Sequence, residues 1–469
     1  MCASRTPAEG NVSSPGGGGG PKGRRGQPGS TDALSPSRLR RTPPFGGEAN
    51  RATFPHAGRG ECQPPDYRRT FASVGPRPAG APSSMPHTAP PGGEMAAGVD
   101  SSREAWIDNL RVAVIVGVIG AHVSLIYALD VGWYYRERTA SEVAKAVLAG
   151  IFSPGLLFGM GLLFFVAGLF TPRALGRKGA RRFVIDRLWR LGVPTVAYLL
   201  AINPAMNFFG DRAMGEGETV ADYFRRTYWD DVELGVAWFI AALLAFSLVY
   251  AVWRSRRPVR TELTNPLRRS DLVRAGGFIV VTSFLVRLEF PVLSGDSAWG
   301  LNLWEYPQMA TLFALGVLAR ERGWLSAALS PELRRSCGRA AAVGVVFAIA
   351  LGVGLTITED VDRFLGGLRL EATLIPLIEA TLALGMSLWV IDWFRRRGNR
   401  AGTLVRGLGR ASFAAYLLHA PLTIILAMAL RDVEVPAESK FLGVFVLGLC
   451  ASFGLGWLAT RSRVAGRIL

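Results

Sequence analysis

Cysteine is scarce in this chain of 469 residues, and its positions do not suggest a metal site. The four cysteines are Cys2, Cys62, Cys337 and Cys450. Their spacing matches neither a zinc-ligand pattern nor a disulfide framework. We therefore expect no bound metal and no stabilising disulfide set.

The motifs of common soluble enzymes are also missing. The sequence contains no phosphate-binding loop, no Rossmann glycine motif and no serine-hydrolase elbow in a strand-turn-helix context. We expect no permanently bound cofactor. Charged residues make up only 19% of the chain, and the apolar residues are unevenly distributed.

After position 105 the apolar residues fall into about ten runs, each long enough to cross a hydrocarbon core of roughly 30 Å. This pattern predicts an all-α polytopic membrane protein with about ten transmembrane helices, in contact with the lipid bilayer. The predicted spans are 108–129, 152–171, 191–209, 234–254, 275–293, 303–320, 338–358, 370–393, 408–430 and 440–460.

The net charge of +17 is better explained by membrane topology than by nucleic-acid binding. Lysine and arginine concentrate in every second connection, such as 172–190, whereas the connection 211–233 is mainly acidic. By the positive-inside rule, both termini are predicted to be cytoplasmic. We expect a multi-pass protein of the plasma membrane and no nucleic-acid partner. Trp133, Tyr134 and Tyr135 are interpreted as part of an interfacial aromatic belt.

The chain divides into three parts by composition. Residues 1–104 are rich in Gly, Pro, Ser and Arg and contain no apolar stretch that could form a core or a signal peptide, so they are predicted to be a disordered cytoplasmic tail. Met95 is an alternative start of translation. Residues 105–462 form the membrane domain, and 463–469 form a short basic tail.

Arg111 and His122 lie in the first apolar run with ten residues between them. Eleven helical steps are close to three turns, which places both side chains on one helix face, roughly 16 Å apart along the axis. A buried arginine usually faces a protein interior or a water-filled cavity. The pair therefore predicts a polar pocket beside this helix. The alternative is an interfacial arginine with an unrelated core histidine.

Arg187 and Arg190 open the third run at the same predicted membrane depth as Arg111. Their i, i+3 spacing puts both guanidinium groups on one helix face, where they can bind phosphate oxygens. Positive-inside anchoring is the alternative explanation. Asp108 lies one turn before Arg111 and can orient or neutralise it.

This layout favours a substrate with a phosphate-bearing head and a long arm, and acyl-CoA has that shape. Its head would bind the arginines and its thioester would lie beside His122. A neutral histidine there can act as a general base toward an acceptor hydroxyl.

At this point the sequence resembles the acyltransferase 3 family. The segment SREAWIDNLRVAVIVGVIGAHVSLIYAL at 102–129 is similar to that family's first span, with arginine and histidine separated by ten residues. The similarity continues in LLFFVAGLF (162–170), RLWRLGVP (187–194), VAWFIAALL (236–244) and LGRASFAAYLLHAP (408–421). It looks most like the branch that succinylates periplasmic glucans.

The resemblance implies His122 as the catalytic base and Arg111, Arg187 and Arg190 as the acyl-CoA site. Two positions depart from the family's pattern. Val236 and Ala237 precede Trp238, where a histidine is common, and Phe413 follows Ser412 in place of tyrosine.

Several residues of the later runs are further candidates for the pocket or its edge. His419 lies in the ninth run, just before Pro421, and Glu379 lies midway through the eighth; Trp238 belongs to the VAWFI motif. Arg287 and Glu289, two apart in the fifth run, either contact an external acceptor or mark the interface. Asn203-Pro204 is expected to interrupt the third span.

The sequence as a whole predicts a membrane O-acyltransferase. It would transfer a short acyl group, acetyl or succinyl, from cytoplasmic acyl-CoA to a hydroxyl of an extracytoplasmic carbohydrate or glycolipid. The alternative is a ten-span transporter of small solutes, although the two halves of the chain show no repeated charged positions. A scaffold without chemistry would leave the membrane-embedded arginine and histidine unexplained.

Overall fold

The computed structural model describes the residues 105–129, 132–257, 266–293, 298–324, 329–358, 360–399 and 402–462. The predicted tail at 1–104, the alternative start at Met95 and the basic tail at 463–469 lie outside the described residues.

Long helices make up most of the described chain, and no strand occurs in these ranges. In chain order they are α1 (Ala105–Tyr127), α2 (Glu142–Lys178), α3 (Ala180–Met214), α4 (Trp238–Ser255), α5 (Arg269–Val286), α6 (Tyr306–Glu321), α7 (Pro331–Ile357), α8 (Leu374–Arg397), α9 (Thr403–Ala429) and α10 (Ala437–Arg461).

Eight of these described helices are long and apolar enough to cross a membrane; α5 and α6, with 18 and 16 residues, are not among the eight. The prediction of an all-α polytopic membrane protein is confirmed. The number of ten spans and the orientation of the termini stay predictions.

Helix ends differ most from the predicted spans where capping residues lie outside the apolar run. Helix α2 begins ten residues before the predicted start at 152, because the Ser141 side chain accepts a hydrogen bond from the Ala144 amide at 3.2 Å. Helix α5 was predicted at 275–293 but runs from Arg269 to Val286, with Asp271 accepting from the Arg268 amide at 3.1 Å. Hydropathy locates the apolar middle of a helix, whereas capping groups decide its ends.

The predicted interruption at Asn203-Pro204 is wrong, because α3 continues through it. A π-helical segment, Tyr198–Ile202, precedes the proline, and α-helix resumes at Asn203. Pro204 has no amide to bond the carbonyl of Leu200 one turn earlier. That carbonyl instead accepts a hydrogen bond from the Tyr228 hydroxyl at 2.8 Å, so a group from another segment replaces the helical donor.

The helices pack around two main apolar clusters. One contains Ile119, Tyr198 and Tyr416 and draws residues from α1, α2, α3, α4, α6, α9 and α10. The other surrounds Leu312 and draws residues from α1, α2, α5, α6, α7 and α8. Helices α2 and α6 approach each other closely at Gly168 and Gly316. A Cβ at either position would collide with a carbonyl oxygen of the other helix, so glycine is needed at both. Small residues therefore set the contact between α2 and α6.

Candidate active site

Asp108 and Arg111 lie in the first two turns of α1. The Arg111 Nη1 is 3.9 Å from the Asp108 Oδ1, the i, i+3 pair anticipated from the sequence. Helix α9 approaches α1 at this level, since a Cβ on Gly409 would lie 2.5 Å from the Asp108 Cβ. The Arg111 side chain remains 45% exposed, so the pair leaves its guanidinium accessible.

Arg111, Arg187 and Arg190, the arginine cluster, are brought together at the N-terminal ends of α1 and α3. The charges of Arg190 and Arg111 both act on the guanidinium of Arg187. Arg187 Nε is buried without a hydrogen-bond partner among the described residues, and its guanidinium lies 5.1 Å from the centre of the Phe183 ring. Three like charges and an unused donor at one place form a suitable binding site for a polyanion.

His122 and His419 form a direct pair, which sequence reasoning anticipated only as a shared cavity. The Nε2 of His419 lies 3.3 Å from the Nδ1 of His122, and the ring centres are 4.8 Å apart. The same Nδ1 of His122 lies 2.8 Å from the Val118 carbonyl oxygen. His419 is fully buried, and His122 is half-buried.

The hydrogen-bond partners assign the tautomers of the two rings when both are neutral. The Nδ1 of His419 contacts the Tyr416 carbonyl, which can only accept, so that nitrogen carries the proton and Nε2 is an acceptor. His122 must then present a protonated Nδ1 to both His419 and Val118. The Nε2 of His122 is left unprotonated, as a general base requires.

Two tyrosine hydroxyls hold α9 in place around His419 by donating hydrogen bonds to backbone carbonyls. Pro421 cannot donate to the Leu417 carbonyl, and the Tyr198 hydroxyl of α3 donates to it instead. The Tyr416 hydroxyl donates to the carbonyl of Val236, in the 3₁₀ turn directly before α4. These contacts fix α9 relative to both α3 and α4.

Trp133 was assigned to an interfacial belt, but the structure places it against the site. Its ring centre is 5.0 Å from that of His122. Tyr134 donates its hydroxyl to Asn203 Oδ1, and Tyr135 is only 5% exposed. The belt interpretation is therefore wrong for these three residues, because the loop after α1 folds back over the helix end. The sequence signal for this placement was the run of three aromatic residues directly after the span that carries His122.

Asn203 connects this loop to the segment before α4. Its Nδ2 donates to the Asp231 carbonyl at 3.0 Å, and the Tyr223 hydroxyl donates to Asp231 Oδ2 at 2.8 Å. Burial raises the pKa of Asp231 to about 6, although the hydrogen bond from Tyr223 opposes this shift. Through Asn203, these hydrogen bonds hold the loop after α1 next to the segment before α4.

Trp238 is connected to α9, the helix of His419, through the rings of Phe239 and Tyr416. It is buried in the same apolar cluster, its ring centre is 6.4 Å from that of Phe239, and Phe239 lies 5.6 Å from the Tyr416 ring. The structure therefore places Trp238 as support for α9.

Glu379 forms an ion pair with Arg287. The Arg287 Nη2 lies 2.5 Å from Glu379 Oε2, and the two side chains are 2% and 3% exposed. Arg287 also donates to the Trp304 carbonyl at 3.3 Å. Arg287 is thus neither an interface marker nor a surface contact, whereas Glu289 is exposed. The sequence signal for this ion pair was the presence of a positive charge in the fifth predicted span and a negative charge in the eighth.

The geometry defines a helical membrane protein whose core holds a histidine pair, with an arginine cluster at one helix end. A family model described as an acyltransferase domain, that of the acyltransferase 3 family, matches residues 104–461. The match covers well over half of the chain, so the protein belongs to this family. It is a membrane acyltransferase, an enzyme that transfers groups other than amino-acyl groups. Searches of curated proteins and of solved structures found no significant match.

Replacing Glu379 by glutamine is expected to destabilise the fold by about 3–5 kcal/mol, because the buried Arg287 loses the carboxylate to which it is directly paired. The control is Glu289→Gln, an exposed position, for which the change should stay within about 0.5 kcal/mol. The measurement is the denaturant midpoint of the purified variants in mixed micelles. Equal midpoints for the two variants would show that the ion pair does not support the fold.

Proposed function

We propose that the protein transfers a short acyl group, acetyl or succinyl, from cytoplasmic acyl-CoA to a hydroxyl of an extracytoplasmic glycan or glycolipid. The observation that carries this proposal is the position of His122, whose Nε2 is free to accept a proton while its Nδ1 is engaged by His419 and Val118. The resemblance to the glucan-succinylating branch favours a glucan acceptor.

The arginine cluster supports acyl-CoA as the donor. Arg111 and His122 belong to one helix face, so a head group bound at the cluster lies roughly 16 Å from the base along α1. That distance is about half the hydrocarbon thickness of a bilayer. The Nε of Arg187, which is buried and has no partner in the part of the chain that the structure describes, supplies a donor for a phosphate oxygen.

The proposed reaction needs only groups that the chain and its two substrates supply. The acceptor hydroxyl oxygen attacks the thioester carbonyl carbon while its proton passes to His122 Nε2. The carbonyl electron pair moves to oxygen, and a tetrahedral intermediate forms. Its collapse breaks the carbon–sulfur bond, and the departing sulfur of CoA takes the proton from His122. An ester and free CoA are the products.

The topology that fits this reaction has ten spans with both termini in the cytoplasm of a bacterial cell, in the plasma membrane. Helices α5 and α6 would supply the remaining two spans beside the eight apolar ones. Arg177 and Lys178 at the end of α2 and Arg254 near the end of α4 support a cytoplasmic position for these ends. The arginine cluster would then face the cytoplasmic supply of acyl-CoA.

Release of free CoA by the purified protein tests the proposal. The protein in detergent, supplied with candidate glycan acceptors, is offered acetyl-, succinyl- and longer acyl-CoAs, and donor binding is measured in the same samples. His122→Ala should lower the rate by about 100-fold to 10,000-fold and leave donor binding unchanged, because it removes only the general base.

Arg187→Ala should weaken acyl-CoA binding by about tenfold or more, because a charge-assisted hydrogen bond is lost. The matched control is Arg181→Ala, an exposed arginine on the same helix, which should bind like the wild type. Turnover that does not depend on His122 would overturn the mechanism. No release and no donor binding would overturn the donor assignment, and solute uptake by reconstituted vesicles would then identify a transporter.

His419 is expected to act as a positioning residue for His122. His419→Leu should reduce kcat by about tenfold to a hundredfold without changing KM, because the ring of His122 loses the acceptor that holds its orientation. His419→Gln should restore part of the rate, since its amide oxygen can accept from His122 Nδ1. Equal rates for the leucine and glutamine variants would exclude this role.

A further inference from the structure

Trp133 carries a buried hydrogen-bond donor that the protein does not use. Its indole Nε1 has no partner among the described residues. Leaving such a group unpaired is costly, because it gives up its hydrogen bonds to water, so each example in a folded protein needs an explanation. The Trp133 ring is the one that packs on His122, with 5.0 Å between ring centres. An unused donor therefore lies beside the proposed base.

The loop that carries Trp133 is held firmly against α1. The Glu137 amide donates to the Ile126 carbonyl at 3.0 Å, and the Thr139 amide donates to the Tyr127 carbonyl at 2.8 Å. Lys440, at the start of α10, lies 2.5 Å from Glu137. The loop is thus bonded to the helix that bears His122 and to a second helix.

Tyr134 fixes the other side of the indole. The Trp133 and Tyr134 rings meet edge to face with 4.8 Å between their centres, and the Tyr134 hydroxyl donates to Asn203. Gly235 has a φ of +47°, and a Cβ there would collide with the Tyr134 hydroxyl; a Cβ at Gly210 would collide with the Tyr134 carbonyl. Two glycines therefore make room for the residue that positions Trp133.

A fixed donor beside the base matches what acyl transfer requires. Attack on a thioester places negative charge on the former carbonyl oxygen, and donors already oriented toward that oxygen stabilise the transition state. His122 cannot supply this donor from its Nε2 while that nitrogen is accepting the acceptor's proton. Its Nδ1 is engaged by Val118 and His419.

We propose that the Trp133 indole N–H donates a hydrogen bond to the thioester carbonyl oxygen and stabilises the oxyanion that forms during acyl transfer. This inference rests on the proposed function. The carbonyl π electrons move to oxygen as the acceptor oxygen bonds to carbon and its proton passes to His122. They return as the carbon–sulfur bond breaks, so Trp133 keeps its own proton throughout.

Trp304 provides a matched control. Its indole Nε1 is also buried without a partner within the described ranges, but its ring lies 5.7 Å from the guanidinium of Arg287. Replacing Trp304 removes an unpaired indole donor of the same kind at the Arg287–Glu379 pair. A general loss of stability from losing a buried indole would affect both variants.

The experiment removes the donor while keeping the ring. Trp133 and, separately, Trp304 are replaced by phenylalanine and by benzothienylalanine, in which sulfur takes the place of the indole N–H. We measure single-turnover CoA release, acyl-CoA binding and thermal stability in detergent. Both Trp133 variants should lose about 100-fold in rate, with binding within about twofold of wild type. Both Trp304 variants should keep the wild-type rate.

The outcomes separate this inference from the proposed function. A wild type that releases CoA with dependence on His122, together with a benzothienylalanine variant at Trp133 of unchanged rate, would overturn the role of Trp133 alone. Equal rate losses at Trp133 and Trp304 would overturn it as well. A wild type that does not turn over any acyl-CoA would overturn the proposed function, and this inference with it. The benzothienylalanine variant keeps the test decisive if Trp133→Phe fails to fold.

Discussion

Hydrogen bonds to two backbone carbonyls determine which nitrogen of each central histidine carries a proton. The Val118 carbonyl accepts from Nδ1 of His122, which leaves Nε2 of His122 unprotonated. The Tyr416 carbonyl accepts from Nδ1 of His419, which makes Nε2 of His419 an acceptor for His122. The bond depends on the position of α9, which Tyr198 and Tyr416 hold through backbone carbonyls of Leu417 and Val236. Packing between α3, α4 and α9 thereby positions the acceptor that His419 offers to His122 on α1.

Two helices of this bundle pass a proline in the same way. Pro204 and Pro421 each leave a carbonyl without its helical partner, and a tyrosine hydroxyl from another segment donates to each freed carbonyl. In hydrocarbon an unsatisfied carbonyl is costly, because no water can reach it. The prolines thus create acceptors that tie the helices together near the site.

Local patterns in the sequence were sufficient for some features but not for others. Apolar run length predicted the helices, and the helical period placed Arg111 and His122 on one face, because both follow from neighbouring residues alone. The pairing of Arg287 with Glu379 joins residues 92 positions apart. The place of Trp133 depends on a contact between Tyr134 and Asn203. Such contacts form only when the helices are packed, so hydropathy and spacing cannot show them.

The central claim is that one acyl-CoA molecule connects the arginine cluster with His122. The most direct test is a cryo-electron microscopy structure with an acyl-CoA ketone analogue, in which a methylene group separates sulfur from the carbonyl and prevents transfer. We expect the phosphates to lie among Arg111, Arg187 and Arg190 and the carbonyl carbon to lie beside Nε2 of His122. A head group bound elsewhere, or a carbonyl distant from His122, would contradict it.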